Sequence, residues 1–290
     1  MEMHDLFKNE TKIPSLPEVF YRFKEAVEDP DTSFEELGEI ISCDSGLTVH
    51  LLKIVNSPFY GFQNQVETIP HAISIIGCDQ LNDLVLAASI IDRFKNAPTK
   101  GIDMQLFWEH SIACGLAAKI LANHLGMINP DSLFVGGLLH DIGRLVICLN
   151  APRHFAEIYL ESRNSQTYLE NQDEAKSLLT VENEILGFGH DEVGGELLRR
   201  WRLPKIHQET VRYHHSPIEA LLFNKEASIV NIADNISKSL ALGSSGEFII
   251  SKYDEAMEIL EIRNEDFFLP IIKEIQEKYQ NTTEVFFQTA

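Results

Sequence analysis

Several common sequence features are missing from this chain, and each absence excludes a class of protein. The four cysteines, at positions 43, 78, 114 and 148, form no CxxC pair, which excludes a disulfide scaffold and favours a reduced protein of the cytoplasm. No stretch of 18 residues is apolar throughout, and no basic segment followed by an apolar one stands at the start. We therefore expect a cytoplasmic protein with neither a membrane span nor a signal peptide.

Positive charge is also scarce. The chain of 290 residues has 24 Lys and Arg against 44 Asp and Glu, a formal net charge of −20. Because the acidic excess is present on both sides of residue 100, the chain should repel phosphate backbones and anionic lipid. We expect no nucleic-acid polymer and no membrane as partner, and a phosphorylated ligand would need a local positive charge such as a metal ion.

The apolar residues recur at helical spacing along almost the whole chain. Ser33-Phe34-Glu35-Glu36 has the spacing of a capping box, Asp44 can cap the next helix, and Pro58 follows its end. Similar patterns predict about five short helices over 13–94 and longer helices at 103–125 and from Asp131 to about Leu149. The β-like residues 248–250 are too few to imply a sheet. The predicted fold class is therefore all-α, a two-lobed multi-helix bundle.

The stretch Asn96-Ala97-Pro98-Thr99-Lys100-Gly101 is the clearest boundary, because turn-forming residues separate two helical regions. We predict an N-terminal helical lobe at 1–95 and a second helical lobe at 102–245. Residues 246–290 are predicted to be a helical extension packed on the second lobe.

The helix predicted after Asn129-Pro130 is apolar nearly all round, which is typical of a buried helix, yet His140, Asp141 and Arg144 stand at its centre. A buried carboxylate or imidazole must be paired or must bind a metal, because an unpaired buried charge is costly. An ion pair between Asp141 and Arg144 is the structural alternative. Glycines 136, 137 and 143 indicate that another helix approaches closely.

Further histidines and one acidic residue stand in contexts that suggest a metal site. They are His110, His190, His214, His215 and Asp234. Imidazole and carboxylate ligands suit Fe, Mn, Zn or Ni, and in a helical bundle they would converge from separate helices. The spacing fits no zinc finger. A buried hydrogen-bonded polar cluster remains the alternative for the whole set. For His190, His214 and His215, the alternative is a helix cap and a solvated helix end.

The segment Leu138-Leu139-His140-Asp141-Ile142-Gly143 resembles the signature of the HD superfamily of metal-dependent phosphohydrolases. The N-terminal lobe is similar to the HDOD (HD-related output) domain in four segments: Leu16-Pro17-Glu18, Ile40-Ile41-Ser42-Cys43-Asp44, residues 51–61 and Ile73-Ser74-Ile75-Ile76-Gly77. The resemblance covers roughly residues 13–240. The resemblance implies that residues 1–95 form an HDOD lobe and that residues 102–245 form an HD-like lobe with a metal site.

The resemblance implies a ligand set. HD phosphohydrolases bind one metal through a His, an adjacent His-Asp and a distal Asp, which correspond to His110, His140, Asp141 and Asp234. Two-metal relatives add histidines, for which His190, His214 and His215 are the candidates. In an active enzyme Asp141 would bridge the metals, and Arg144 could contact a phosphoryl oxygen.

The sequence departs from the relatives that hydrolyse cyclic-di-GMP. Those enzymes usually have Lys where Arg144 stands, and their Gly-Tyr-Pro motif is missing after His214-His215. Cyclic-di-GMP hydrolysis is therefore not expected. The favoured interpretation is a bacterial-type signalling output module that retains a metal site and binds a partner protein or small nucleotide. A metal-dependent phosphohydrolase acting on a small phosphate ester or nucleotide is the alternative, and a metal or redox sensor without turnover is the third.

Overall fold

The computed structural model describes residues 1–8, 13–99, 101–168, 175–247 and 249–287, with the backbone alone for 166–168. Within these ranges the chain forms α-helices and short 3-10 turns and no strand, which confirms the predicted all-α class. Residue 248 of the β-like stretch lies outside the described residues. The helices are α1 Glu18–Glu28, α2 Phe34–Ser42, α3 Ser45–Val55, α4 Ile69–Ile76, α5 Cys78–Phe94, α6 Met104–His124, α7 Pro130–Leu139, α8 Ile142–Asn150, α9 Pro152–Tyr168, α10 Leu178–Leu186, α11 His190–Arg200, α12 Lys205–Tyr213, α13 Asn224–Ser239, α14 Asp254–Ile259 and α15 Phe268–Phe287.

The N-terminal helices begin where their capping residues predict. The Ser33 hydroxyl accepts a hydrogen bond from the Glu36 amide at 3.2 Å, and the Glu36 carboxylate accepts one from the Ser33 amide at 2.8 Å. The Asp44 carboxylate accepts from the Leu47 amide at 3.0 Å. Each bond satisfies a backbone donor that a helix leaves free in its first turn. The five helices predicted over 13–94 are therefore present as α1 to α5.

Helix α6 is the central helix of the second lobe and packs against α7, α13 and α15. Glycines allow the closest of these contacts. A Cβ at Gly137 of α7 would lie 2.8 Å from the Cys114 carbonyl of α6, and one at Gly115 of α6 would lie 2.7 Å from the Phe134 carbonyl of α7. The two backbones are nearly in contact, as the glycines of this segment predict.

The segment that carries the His-Asp pair is interrupted. The prediction of one continuous helix from Asp131 to about Leu149 is wrong at its centre, because α7 ends at Leu139 and α8 begins at Ile142. Asp141 has φ −97° and ψ 7°, outside the helical region, and its carbonyl accepts from the Arg144 amide at 2.9 Å. The break turns His140 and Asp141 toward a common centre instead of leaving them about 100° apart around a regular helix.

By length and hydropathy, the stretch Pro130–Asn150 could cross a membrane, and the bent pair α4 and α5 passes the same test when taken together. In the folded chain 89% of the most apolar window of Pro130–Asn150 is buried inside the protein. The stretch therefore has the environment of a core helix.

The C-terminal helix α15 lies against both lobes, with contacts to α6 and to α3. Phe286 is fully buried, and its ring lies 5.7 Å from the ring of Phe59 and 5.0 Å from that of Phe134. The His50 Nε2 donates to the carbonyl of Val285 at 3.1 Å. This helix therefore connects the N-terminal lobe to the second lobe.

A buried ion pair also connects the lobes. Lys119 of α6 donates to the Asp131 carboxylate of α7 at 2.8 Å, and the Tyr60 hydroxyl donates to the same oxygen at 2.9 Å. The Lys119 ammonium lies 3.8 Å from the centre of the Phe59 ring and 4.1 Å from that of Tyr60. The N-terminal lobe thus covers the pair with two aromatic rings, which adds a cation–π interaction to the hydrogen bonds.

We predict that Lys119→Met lowers the free energy of unfolding by about 3 kcal/mol, because it leaves the buried Asp131 carboxylate without its cation. Urea unfolding followed by circular dichroism measures the loss. The matched control is Lys273→Met, which removes a cation from an ion pair whose side chains are 78% and 63% exposed, and it should have no measurable effect. Equal stability of the two variants would contradict a stabilising role for the buried pair.

Candidate metal centre

Histidine and aspartate side chains from five parts of the second lobe meet in its interior, in a group that we call the His/Asp cluster. Every ligand predicted from the sequence lies in it: His110 of α6, His140 and Asp141 at the α7–α8 break, His190 at the start of α11, His214 and His215 after α12, and Asp234 of α13. All of them except the half-buried His215 are at most 3% exposed.

The first half of the cluster consists of His110, His140, Asp141 and Asp234. The Asp234 Oδ1 lies 3.1 Å from the Nε2 of His110 and 3.6 Å from that of His140, and His140 Nε2 lies 3.2 Å from Asp141 Oδ2. These contacts lack hydrogen-bond angles, so His110 Nε2, His140 Nε2, Asp234 Oδ1 and both Asp141 oxygens have no hydrogen-bond partner among the described residues. Neighbouring ligands about 2.1 Å from one metal ion lie roughly 3.0–3.4 Å apart. Two of the three distances fall in this range and the third is slightly longer, so a small inward shift of the side chains would place these atoms around a shared ion.

The second half consists of His190, His214 and His215, which lie close enough to hold an ion by distance. The Nε2 atoms of His190 and His215 are 3.1 Å apart and form a hydrogen bond. His190 Nε2 also lies 3.1 Å from Asp141 Oδ1. The Asp141 carboxylate is therefore between the halves, with Oδ2 toward His140 and Oδ1 toward His190.

Hydrogen bonds to Nδ1 fix which nitrogen each imidazole presents to the cluster. His140 Nδ1 donates to the Gly137 carbonyl at 2.7 Å, and His214 Nδ1 donates to the Val211 carbonyl at 2.8 Å. A carbonyl can only accept, so Nδ1 carries the proton and Nε2 offers its lone pair in the neutral ring. This is the arrangement by which proteins orient metal-binding histidines.

Two charged residues of the cluster are missing from the sequence prediction. Glu182 of α10 is 2% exposed and lies 2.6 Å from His190 Nδ1, and its carboxylate also accepts from the His190 amide at 2.8 Å. Lys238 donates to Asp234 Oδ2 at 2.7 Å. The i,i+4 spacing of Asp234 and Lys238 is a readable signal, whereas nothing in the local sequence of Glu182 indicates its partner.

Arg144 lies inside the cluster rather than at an open face, and it is 2% exposed. Its Nε is 3.1 Å from Asp141 Oδ1, and its Nη2 is 3.5 Å from His190 Nε2. Its Nη1 donates to the carbonyl of Ser245 at 3.2 Å and to the hydroxyl of Ser245 at 2.8 Å. All three nitrogens of the guanidinium therefore contact groups in the protein interior.

The charges of the cluster keep both aspartates ionised. Burial alone would raise the pKa of Asp141, but the Arg144 guanidinium and His140 hold it well below its usual range. Burial acts on Asp234 in the same way and is outweighed by Lys238 and by the nearby imidazoles of His110 and His140, so its pKa is also well below the usual range. Ionised carboxylates with free lone pairs are the form that binds a divalent cation.

Gly143 determines how closely the two halves approach. A Cβ at Gly143 would overlap the backbone carbonyl of His190 and lie 2.7 Å from the amide of Gly194. Only glycine allows α8 to cross the start of α11 at this distance, which places His190 beside Asp141. The predicted close approach at Gly143 is thereby confirmed.

Fold and site together define a class, an all-helical protein whose interior His/Asp cluster fits a divalent metal ion. Residues 13–217 match the family model of the HDOD domain, which is more than two thirds of the chain. The chain belongs to the HDOD family.

Three similar proteins extend the comparison. An uncharacterised protein of Treponema pallidum (strain Nichols) is 27% identical over 206 residues, which are 70% of this chain and 38% of that protein, so the chain spans well under half the length of this relative. An HDOD domain protein of unknown function from Geobacter sulfurreducens has a TM-score of 0.76 at 22% identity, over 99% of this chain and 98% of that one. A candidate phosphohydrolase from Shewanella amazonensis SB2B has a TM-score of 0.74 at 23% identity over the full length of both chains. At these identities the two structures show a shared fold.

We predict that Gly143→Ala weakens metal binding by about 10- to 100-fold, because the added methyl group pushes His190 and Asp141 apart. Titration of the metal-free protein with Mn²⁺ measures the change, and circular dichroism verifies that the variant is folded. The control is Gly46→Ala, whose added Cβ would meet nothing closer than 3.5 Å. Unchanged affinity in a folded Gly143→Ala protein would contradict this role of the glycine.

Proposed function

We propose that this protein is a signalling output module whose second lobe holds a divalent metal ion at His110, His140, Asp141 and Asp234. The observation that carries the proposal is the set of five buried ligand atoms that face one another and lack hydrogen-bond partners in the part of the chain that the structure describes. Leaving such atoms unsatisfied in a protein interior costs free energy for each of them. One divalent ion, of Fe, Mn, Zn or Ni, would bind both imidazole nitrogens and one oxygen of each aspartate at once.

Burial favours a regulatory role for this ion over a catalytic one. A catalytic metal keeps a coordination position that substrate can reach. The four ligands are at most 3% exposed, and Arg144 with Ser245 covers the side next to Asp141. The ion would therefore act mainly by tying α6, the α7–α8 break and α13 together.

Helix α6 offers a route from this ion to the rest of the molecule. It carries His110 in its first half and Lys119 in its second half, where Lys119 bonds Asp131 beneath the aromatic rings of the N-terminal lobe. A change in metal occupancy that shifts α6 would reach the contact between the lobes. A partner protein or a small nucleotide that binds across the lobes could then respond to it.

A metal-dependent phosphohydrolase is the second candidate, and one observation favours it. The Asp141 carboxylate lies between the two histidine groups, which is where a bridging ligand of two metal ions would stand. His215 is only half-buried, so the cluster approaches the surface on that side. The similar fold from Shewanella amazonensis is described as a candidate phosphohydrolase.

The decisive experiment combines elemental analysis with an activity panel on the full chain. We expect the purified protein to contain a first-row divalent metal, and we expect Asp141→Ala to lose it. Chelation should lower the melting temperature by several degrees in the wild type but not in Asp141→Ala, because a bound ion stabilises only the folded state. His124→Ala, which removes a histidine from a pair with Glu274 that is one-third exposed, is the control and should keep the metal.

The same preparation separates the two functions. No turnover on a panel of phosphate mono- and diesters, with metal bound, supports the output module. Turnover that Asp141→Ala abolishes would instead establish the phosphohydrolase. A wild-type protein that binds none of the four metals would contradict both, and the His/Asp cluster would then be a buried polar network.

A further inference from the structure

The two halves of the His/Asp cluster differ in whether they need an ion. Within the described ranges, the five ligand atoms of the first half have no hydrogen-bond partner, and His214 Nε2 lacks one as well. In the second half, His190 and His215 satisfy each other through a hydrogen bond of 3.1 Å between their Nε2 atoms. Glu182 binds the remaining nitrogen of His190 at 2.6 Å. His190 and His215 are therefore complete without a metal.

The guanidinium of Arg144 lies where the charge of a second ion would be. An ion bound to Asp141 Oδ1 at about 2.1 Å would lie within roughly 5.2 Å of Arg144 Nε, because that nitrogen is 3.1 Å from the same oxygen. It would also be close to Nη2, which is 3.5 Å from His190 Nε2. Charges of like sign at such distances in a buried site repel strongly.

The charge of the interior also matches one ion. The acidic groups that act on Arg144 are Asp141, Asp234, Glu182 and Glu247, and all are at most 6% exposed. Arg144 and the buried Lys238 side chain supply two positive charges, which leaves an excess of two negative charges when the imidazoles are neutral, as metal-binding imidazoles are. One divalent ion neutralises this excess, and a second would bury two uncompensated positive charges.

We propose that Arg144, together with the His190–His215 hydrogen bond, takes the place of a second metal ion, so that the cluster holds a single divalent cation. The inference rests on the metal centre proposed above and specifies its stoichiometry. Arg144 is a positioning residue in this arrangement. It neutralises Asp141 Oδ1 and leaves Oδ2 to the ion held by His110, His140 and Asp234.

Ser245 holds the guanidinium in this place. Both the carbonyl and the hydroxyl of Ser245 accept from Nη1, and the residue is 6% exposed. Glycines 243 and 246 on either side have φ of +67° and +93°, which L side chains rarely adopt, and they turn the backbone toward Arg144. Arg144 is thus fixed from both sides, by Asp141 and by Ser245.

The test is the number of ions that each variant binds. The metal-free full-length protein is titrated with Mn²⁺, bound and free ion are separated by electron paramagnetic resonance, and the content is verified by elemental analysis. We expect one ion per wild-type chain. Arg144→Met keeps the size of the side chain but removes the charge, and we expect a second ion to bind at least about 100-fold more tightly than it binds the wild type.

Two further variants make the assignment specific. Arg144→Gln removes the charge but keeps hydrogen-bonding groups, and it should also bind the second ion. His215→Ala should leave the wild-type stoichiometry at one ion, but it should remove the second ion when combined with Arg144→Met. Arg144→Gln carries the same test if Arg144→Met fails to fold.

The outcomes separate this inference from the proposed function. Two ions in the wild type would overturn the inference and leave the metal centre in place. A folded Arg144→Met protein that still binds one ion would also overturn the inference, since the Arg144 charge would then not be what excludes a second ion. A wild type that binds no ion overturns the metal centre and the inference together.

Discussion

The second lobe depends on one constraint, the compensation of two carboxylates in its interior. Asp141 and Asp234 are 1% and 3% exposed, and neither can be ionised there without nearby positive charge or a metal. Arg144 and Lys238 supply part of that charge, each from the same segment as its carboxylate. The remaining lone pairs face two imidazoles, so the residual charge and the unsatisfied atoms are at the same point. A cation at that point solves both problems at once.

Close backbone packing makes this convergence sterically feasible. Aspartate and histidine side chains are short, so ligands from different helices meet only if the helices nearly touch. Gly137 allows that contact between α7 and α6, and Gly143 allows it between α8 and α11. The break at His140 and Asp141 then directs two adjacent residues into one centre. The glycines and the break thus place the ligands, while the apolar residues around them supply the stability.

The sequence predicts much of this structure because much of it is local. Capping residues and apolar spacing predict α2 and α3 well, since both signals act within one or two turns. The ligand candidates are likewise visible as polar residues in apolar helices. Glu182 and Ser245 were not predicted, because Glu182 contacts His190 only after α10 folds against α11, and Ser245 meets Arg144 across 101 residues of chain. The break at Asp141 was missed for a related reason. Its cause is the geometry of the assembled site, and the helical pattern of the segment continues through it.

Arg144, three residues after Asp141, has properties that a lysine at this position would lack, although both side chains are cations. A guanidinium has five donors in a rigid plane and stays charged in any protein environment, whereas an ammonium is a single flexible point charge. Arg144 uses that plane to contact Asp141, His190 and Ser245 at the same time. A lysine could neutralise the carboxylate, but it could not also hold the chain at Ser245 over the cluster. Arginine therefore links the charge balance of the His/Asp cluster to its closure from solvent.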